Sequence, residues 1–351
     1  MHPFSIATGT MYYAQNLFIR IHTDNGDTGV GECSAFPMIV GETQATCFEM
    51  AKDFALLWKG KDPLDIPARM TELHAFTAFN TTAKSAFDMA LYDLAAKEAK
   101  RPLYQYLQGK KKALETDLTI GIGEPESMAA TALEYKSKGV RIIKIKLGKD
   151  GVQDLERVKL IRNAVGDSMV LRIDANQGWD YETARVALKS MGKYNIQFCE
   201  QPMRQWNDHM LPELKSHSPV QIMADESVFN HRDAQRLIDA GACDFVNIKF
   251  SKSGGIQEAL RINQVCAVNG IPCMMGGMLE SRLALTAFAH FASSQDNILF
   301  YDMDTCLLGH KIDPVTGGVR YRGYFLELPE TPGIGADIDA GFLEGCEKVF
   351  V

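Results

Sequence analysis

Short apolar segments rich in β-branched residues recur after Ala113, and a stretch of helical periodicity follows most of them. The predicted strands cover residues 115–121, 141–147, 169–174, 196–200, 221–225, 244–249, 271–276 and 298–302. From the second strand onward, polar residues or glycines mark the strand ends at positions 146, 174, 200, 225, 249, 276 and 302, which lie 24 to 28 residues apart. This spacing, with strands that are apolar on both faces, predicts a closed parallel β/α barrel. An open doubly wound sheet is the alternative, but no GxGxxG motif follows the first strand.

The first third of the chain has a different pattern. Its predicted elements are strands at 17–22 and 28–33 with a turn at 24–26, and helices at 43–57, 66–74 and 82–99. The Arg101-Pro102 pair ends the last helix, because the residue before a proline is disfavoured in helical conformation. Strands followed by helices predict a separate α+β unit that ends near Lys112. We expect one further strand before Pro3, and a truncated N-terminus would explain why none is found.

Composition narrows the function. The 351 residues carry a formal charge of −7, which disfavours a general nucleic-acid binder because such proteins need a basic face. Apolar runs are shorter than the roughly 20 residues of a membrane span, and the N-terminus lacks the regions of a signal peptide. The eight cysteines form no CxxC pair, which favours reduced thiols over disulfides or a zinc site. We therefore predict a cytoplasmic protein.

Most of the predicted barrel strands end in a group that ligates a metal or moves a proton. These groups are Lys144 and Lys146, Asp174, Glu200, Asp225, Lys249, and Asp302 with Asp304. In a closed barrel all carboxyl ends of the strands open onto one face, so residues distant in sequence converge there. A single carboxylate at a strand end is typical of a cap or a surface charge. Charged groups at the ends of successive strands indicate a functional site.

Three of these groups form an all-oxygen set. Asp174, Glu200 and Asp225 suit a hard divalent cation, and Mg²⁺ is the predicted metal. Zinc is disfavoured, since no His or Cys ends a matching strand. Asn176 and Glu226 are predicted to orient the ligands, although an exposed loop charge explains Glu226 equally well.

The lysines complete the predicted chemistry. Lys144 and Lys146 share one strand face, and their mutual repulsion favours the neutral form of one of them. Lys249, on the sixth strand, lies across the barrel mouth from this pair. One lysine would remove a proton beside a metal-bound carboxylate and the opposite lysine would return it, with the metal acting as a Lewis acid. The predicted reaction is inversion of a stereocentre.

The combined motifs resemble the enolase superfamily, in its muconate-lactonising subgroup. They are Lys144-x-Lys146, Asp174-x-Asn176, Glu200-x-Pro202, Asp225-Glu-Ser227, and Lys249 followed by Ser253-Gly-Gly255. The resemblance implies an α+β capping domain (1–112), a modified (β/α)7β TIM-like barrel (113–305) and a C-terminal segment that returns to the cap (306–351). It also implies that Lys146 and Lys249 are the acid/base pair and that Lys144 tunes its neighbour. Lysine bases that work with Mg²⁺ are an established pattern of that superfamily.

The end of the last barrel strand resembles one branch of this subgroup. Asp302-x-Asp304 looks like the motif with which dipeptide epimerases hold the substrate's α-ammonium group, for which two carboxylates give a charge-assisted anchor. A capping turn is the alternative interpretation. Further predicted substrate contacts are Gly276 and Met278, in a segment similar to the family's strand-seven loop, and Thr119.

Two loops of the cap, 5–15 and 36–42, are expected to set substrate specificity. Relatives that epimerise Ala-Glu carry basic residues in the first loop, whereas this chain has no Lys or Arg before Arg20. The apolar residues of the two loops are Met11, Tyr12, Tyr13, Phe36, Met38 and Ile39. They predict a lid for an uncharged side chain, because a buried carboxylate without a partner is costly. Packing of Met11 and Tyr12 within the cap is the alternative.

We therefore predict a Mg²⁺-dependent dipeptide epimerase. The reaction is a 1,1-proton transfer at the Cα of the C-terminal residue of an L-Ala-Xaa dipeptide with an uncharged Xaa. An N-acylamino acid racemase, a muconate cycloisomerase or an o-succinylbenzoate synthase would keep the same lysines but would not need the aspartate pair. A silent barrel that only binds a ligand is disfavoured by the intact set of charged groups. The predicted partner is a small dipeptide, not nucleic acid or membrane, and a homo-oligomer is left open.

Overall fold

The computed structural model describes residues 4–308 and 310–351, so the strand expected before Pro3 lies outside the described residues. The chain begins with a small antiparallel hairpin, Phe4–Ile6 (β1) and Gly9–Met11 (β2), where the sequence predicted a loop. That prediction was wrong because the segment is too short for alternation to show. A longer hairpin follows, formed by Asn16–His22 (β3) and Thr28–Ser34 (β4), which pair over seven residues.

Five helices complete this first unit. They are Pro37–Val40 (α1), Gln44–Trp58 (α2), Ile66–Phe76 (α3), Thr81–Glu98 (α4) and Leu103–Tyr106 (α5). Helix α2 begins at a capping box formed by Thr43 and Thr46. The Ala-rich helix α4 is buried along most of its length and packs closely on β4, where Gly29 and Gly31 leave room for its backbone. This close approach joins the hairpin to the helices.

A short strand, Leu114–Glu115 (β5), leads into an eight-stranded parallel sheet in which the neighbours follow chain order. Its strands are Leu118–Ile120 (β6), Ile142–Lys146 (β7), Val170–Asp174 (β8), Ile196–Glu200 (β9), Ile222–Ala224 (β10), Phe245–Ile248 (β11), Cys273–Gly276 (β12) and Ile298–Asp302 (β13). The two outer strands approach each other where the Asp117 N–H donates to the Tyr301 carbonyl over 3.2 Å. The sheet thus forms a nearly closed barrel, and the predicted fold is confirmed.

Helices surround the barrel. They are Pro125–Ser137 (α6), Gly151–Val165 (α7), Tyr181–Met191 (α8), Leu211–His217 (α9), His231–Asp239 (α10), Phe250–Ser253 (α11), Ile256–Val268 (α12) and Arg282–Ser294 (α13). Three 3₁₀ turns lie at Gly192–Tyr194, Gln205–Met210 and Thr305–Leu307. Within the described ranges, no helix has the length and apolar character that a bilayer span requires.

The C-terminal segment returns to both earlier units. It contains Val315–Gly317 (β14), Arg320–Arg322 (β15), Phe325–Glu327 (β16), Ala336–Ile338 (β17) and Ala340–Glu344 (α14). Strand β16 pairs with β5 at the start of the barrel. On the cap side, the Ile334 N–H donates to Asp93 of α4 over 2.7 Å, and Arg20 pairs with Asp337 at 2.7 Å. These contacts tie the segment to the cap.

The cap lies over one end of the barrel, the end at which the strands finish. The Ile122 N–H, just after β6, donates to the Ser5 carbonyl of β1 over 2.9 Å. Ala7, between β1 and β2, lies against Gly148, two residues after β7. The first hairpin therefore covers the barrel mouth, where the predicted site residues converge.

We expect Gly31→Ala to destabilise the protein by about 1–3 kcal/mol, because a Cβ there would overlap the Ala86 carbonyl of α4. The control is Gly123→Ala, whose Cβ would meet a single atom, Met128 Cγ, at 3.8 Å. Urea denaturation measures both. Equal stability of the two variants would contradict the close packing of β4 on α4.

Candidate active site

The three predicted metal ligands lie side by side at the ends of neighbouring strands. Asp174 is the last residue of β8, Glu200 is the last residue of β9, and Asp225 directly follows β10. Asp174 and Glu200 are register partners, and all three side chains are fully buried. The barrel thus gathers three oxygen-donor groups of the kind that a hard divalent cation prefers.

Buried ammonium groups surround these carboxylates. Lys144 Nζ lies 2.7 Å from Glu200 Oε2 and 3.3 Å from Asp174 Oδ2. Lys146 Nζ lies 2.6 Å from Asp174 Oδ2. Lys249, which directly follows β11, places its Nζ 2.9 Å from Asp225 Oδ2. The predicted lysines and the predicted ligands therefore belong to one site.

The two lysines of β7 differ in their surroundings. Burial alone would lower the pKa of Lys144, but the charges of Asp302, Glu200 and Asp174 raise this pKa well above its usual value. Lys144 therefore keeps its proton. The neutral lysine that repulsion within the pair predicted is not Lys144.

Two acids at the centre remain short of positive charge although lysines lie beside the three ligands. Burial, together with the charge of Asp174, raises the pKa of Glu200 to about 7, and burial with the charge of Asp225 raises that of Glu226 to about 8. Asn176 Nδ2 donates to Glu226 Oε1 over 3.3 Å, and the Asn176 N–H donates to Asp174 Oδ1 over 2.8 Å. Among the described residues, Asn176 Oδ1 and Glu226 Oε2 are buried without a hydrogen-bond partner. A divalent cation held by the three ligands fits this deficit of charge.

Two buried residues at this site were missed by the sequence reasoning. Asn247 of β11 donates through Nδ2 to Glu200 Oε1 over 2.8 Å. Lys252 of α11 places its Nζ 2.5 Å from Asp225 Oδ1 and 3.1 Å from the Asn247 carbonyl. Their spacing from Lys249 was the available signal, since i−2 shares a strand face and i+3 shares a helix face.

The predicted substrate residue Gly276 has a clear structural reason. A Cβ at Gly276 would lie 2.5 Å from Asn247 Oδ1. The glycine therefore makes room for the amide that holds Glu200, and close approach of a ligand is not needed to explain it.

A second group of acids lies where β6 and β13 meet. Asp302 Oδ2 lies 2.6 Å from Lys144 Nζ, and Asp304 Oδ2 accepts the Thr119 N–H over 2.6 Å. Thr119, predicted to contact substrate, is nearly buried and holds Asp304 in place. Sequence reasoning missed the third member, Asp117, because it precedes a strand instead of ending one.

Asp117, Asp302 and Asp304 are the one set of three carboxylates in the described ranges whose oxygens all lie within 4.8 Å of one another. Asp117 pairs with Arg172 at 2.8 Å, and Asp302 pairs with Lys144. Three acids thus share two cationic partners, and one of these, Lys144, also contacts Asp174 and Glu200. The acids outnumber the nearby cations, which suits the binding of an ammonium group.

Apolar side chains line the space between cap and barrel. Ile6, Phe36 and Leu279 form a buried cluster of their own. Partly buried residues packed against it include Met11, Met38, Ile39 and Met278. Both predicted cap loops therefore meet the loop after β12. Tyr12 and Tyr13 do not belong to the cluster, since they are 65% and 66% exposed.

The protein is a capped parallel barrel with lysines on opposite strands and buried carboxylates between them. This combination is typical of barrel enzymes that use acid/base catalysis. Residues 1–108 match the family model of the mandelate racemase / muconate lactonizing enzyme N-terminal domain, and 127–341 match the enolase C-terminal domain-like model. The chain belongs to this family, and the predicted resemblance is confirmed.

Curated relatives cover nearly the whole chain. The D-Ala-D/L-Ala epimerase of Cytophaga hutchinsonii is 46% identical over 99% of this chain and 95% of its own length. The hydrophobic dipeptide epimerase of Enterococcus faecalis is 41% identical, over 95% of this chain and 94% of its own length. The L-Ala-D/L-Glu epimerase of Bacillus subtilis is 38% identical, over 98% of this chain and 94% of its own length. These relatives confirm the predicted isomerase.

Solved structures agree in fold. The Cytophaga hutchinsonii dipeptide epimerase, complexed with Mg and D-Ala-L-Val, gives a TM-score of 0.98 at 45% identity, covering 99% of this chain and 95% of that chain. The Enterococcus faecalis dipeptide epimerase, complexed with Mg and L-Leu-L-Tyr, gives a TM-score of 0.92 at 40% identity. The match covers 95% of this chain and 95% of that chain. The predicted cofactor, Mg²⁺, is thereby confirmed.

We expect Asn247→Ala to weaken Mg²⁺ binding about tenfold or more, because Glu200 loses the amide that orients it. Calorimetric titration with Mg²⁺ alone measures the change in Kd. The control is Asn263→Ala, which removes another nearly buried asparagine whose Nδ2 bonds Gln295 on the outer helices. Wild-type Mg²⁺ affinity in Asn247→Ala would show that Glu200 needs no such support.

Proposed function

We propose that this chain is a Mg²⁺-dependent dipeptide epimerase that inverts the Cα of the C-terminal residue of Ala-Xaa dipeptides with an uncharged Xaa. One observation carries the proposal. Lys146 ends the second of the eight barrel strands and Lys249 directly follows the sixth, which puts them across the mouth from each other, while Asp174, Glu200 and Asp225 lie at the ends of the strands between.

The lysines would move the proton. Asp174, Glu200 and Asp225 would hold Mg²⁺, which when bound draws charge from the substrate carboxylate and makes the adjacent Cα–H more acidic. Lys146 takes the Cα proton on one side, and Lys249 delivers a proton from the other. Burial by itself would lower the pKa of Lys249, but the charge of Asp225 raises it, so Lys249 holds the proton that it donates. For the opposite epimer the two roles exchange.

The second acid group would bind the free α-ammonium of the dipeptide. The acids Asp117, Asp302 and Asp304 outnumber their two cationic partners, Arg172 and Lys144. An ammonium group adds a cationic partner in this buried place, whereas an N-acyl group adds none. This favours a dipeptide epimerase over an N-acylamino acid racemase or a lactonising enzyme.

The apolar cluster would receive the side chain of Xaa. Ile6, Phe36 and Leu279 are buried there, and the neighbouring side chains are also apolar. A carboxylate in this space would have no cationic partner among the residues of the cluster. The Enterococcus faecalis relative is named for hydrophobic dipeptides, which supports the same preference.

The cellular setting remains part of the proposal. Six of the eight cysteines are buried as free thiols, which supports a reducing compartment such as the cytoplasm. A homo-oligomer stays a prediction.

We expect deuterium uptake from D2O at the C-terminal residue of L-Ala-L-Leu and L-Ala-L-Val to exceed that of L-Ala-L-Glu by at least about tenfold in kcat/KM. Proton NMR of a dipeptide library measures the exchange, with a D-Ala series included because one relative is named for D-Ala. Lys249→Met is the inactive control. A preference for Ala-Glu would refute the apolar pocket, and exchange of N-acylamino acids alone would refute the dipeptide assignment.

Dipeptide affinity should fall below neutral pH. Burial, with the charge of Asp302, raises the pKa of Asp304 to about 7. As pH falls through this value Asp304 gains a proton, the anchor loses a negative charge, and KM rises. Asp304→Asn should raise KM at every pH by about tenfold or more and flatten this pH dependence.

Kinetics of L-Ala-L-Leu from about pH 5 to about pH 9, roughly two units on either side of that pKa, would test this. Asp296→Asn, at an exposed aspartate before β13, is the control and should behave as the wild type. An Asp304→Asn enzyme with wild-type KM would exclude the aspartate anchor.

A further inference from the structure

A buried carboxylate of the cap is bonded to the start of a barrel helix. Glu32, on β4, is 1% exposed and faces the N-terminus of α13. Its Oε1 accepts the Ser281 N–H over 2.7 Å, and its Oε2 accepts the Ser281 hydroxyl over 2.7 Å and the Ala284 N–H over 2.9 Å. The chemistry proposed for the lysines and the acids makes no use of this group.

Asn16 on the adjacent strand β3 extends the contact. Its Nδ2 donates to Glu32 Oε1 over 2.8 Å and to the Leu279 carbonyl over 3.1 Å. Gln44, at the start of α2, donates to the Asn16 carbonyl over 2.8 Å and so holds that strand end. We call Asn16, Glu32 and Ser281 the cap clamp.

The clamp holds the loop that contributes Met278 and Leu279 to the apolar cluster. Residues 276–281 connect β12 to α13, and this loop places Met278 and Leu279 against the cap residues Ile6 and Phe36. Inside the loop, Glu280 Oε2 accepts the Met278 N–H over 2.6 Å, so the loop is braced on its own side as well. Cap and loop thus form the apolar cluster together, and the clamp joins the two.

The contact between Glu32 and the start of α13 consists of hydrogen bonds to a buried carboxylate. Burial raises the pKa of Glu32, while the donors from Ser281, Ala284 and Asn16 act in the opposite direction. A carboxylate at a helix N-terminus also gains from the unpaired N–H groups there. Loss of one of these bonds leaves a polar group buried without a partner.

We propose that Glu32, supported by Asn16, is a positioning residue for substrate specificity. It seats the cap on the loop after β12 so that Leu279 and Met278 close the pocket around an uncharged side chain. The inference rests on the proposed function for its substrate and on the clamp geometry for everything else.

Glu32→Gln tests the inference. The amide keeps the shape but cannot accept all four bonds, so we expect KM for L-Ala-L-Leu to rise about tenfold while kcat stays within about threefold. The preference for L-Ala-L-Leu over L-Ala-L-Glu should fall about fivefold or more. Asn16→Ala leaves the charge of Glu32 in place. It should also raise KM and lower the substrate preference, but by smaller factors than Glu32→Gln.

Asp93→Asn is the matched control. Asp93 is also a fully buried carboxylate of the cap, and it accepts the Val30 N–H over 2.9 Å and the Ile334 N–H over 2.7 Å, away from the pocket. It should lower the melting temperature without changing the substrate preference. Hydrogen exchange should show faster exchange of the Ser281 and Ala284 amides in Glu32→Gln and unchanged rates in Asp93→Asn.

The inference is overturned if Glu32→Gln and Asn16→Ala keep the wild-type preference, or if Asp93→Asn alters it equally. Unchanged protection of the Ser281 and Ala284 amides in Glu32→Gln would overturn it as well. If the wild type exchanges no dipeptide, the proposed function fails, while the exchange of those amides still decides whether the clamp exists.

Discussion

Mutual neutralisation of buried charges at the carboxyl end of the barrel is the constraint on which this structure depends. Ionised groups in a protein interior are tolerated only when they are paired and hydrogen-bonded. Lys144 satisfies this condition for three strands at once, since its ammonium group contacts Asp174, Glu200 and Asp302. Removal of this ammonium group would take a buried cationic partner from all three carboxylates.

The fold brings the charged groups of the site together and also covers them. A parallel barrel brings the ends of its strands to one face, so charged groups far apart in sequence become neighbours. The cap then covers that face, as the bond between Ile122 and Ser5 shows. Further along the same strands, Phe198, Phe245 and Phe300 pack on one another, so apolar side chains occupy that part of the barrel.

Sequence reasoning succeeded where a local pattern decides the structure. The strands predicted at 196–200 and 298–302 have those same bounds in the structure, because each is a compact apolar run that ends in an acid. It failed where the outcome depends on neighbours from other strands. Asp117 gains its importance from Asp302 and Asp304 across the barrel closure. Likewise, the charges of three carboxylates from other strands, which no alternation rule reveals, raise the pKa of Lys144 well above its usual value.

The apolar cluster takes its side chains from both the cap and the barrel, and this limits how substrate preference can be transferred. If the hairpins of this cap were grafted onto another barrel of the family, Glu32 would face a foreign helix start and a foreign loop. The recipient would acquire the apolar side chains of the cap. It would lack the hydrogen bonds that hold these side chains in position against the loop after β12. Chimaeras and, by the same reasoning, natural recombination must therefore carry residues 4–39 and 276–284 together as one inherited unit.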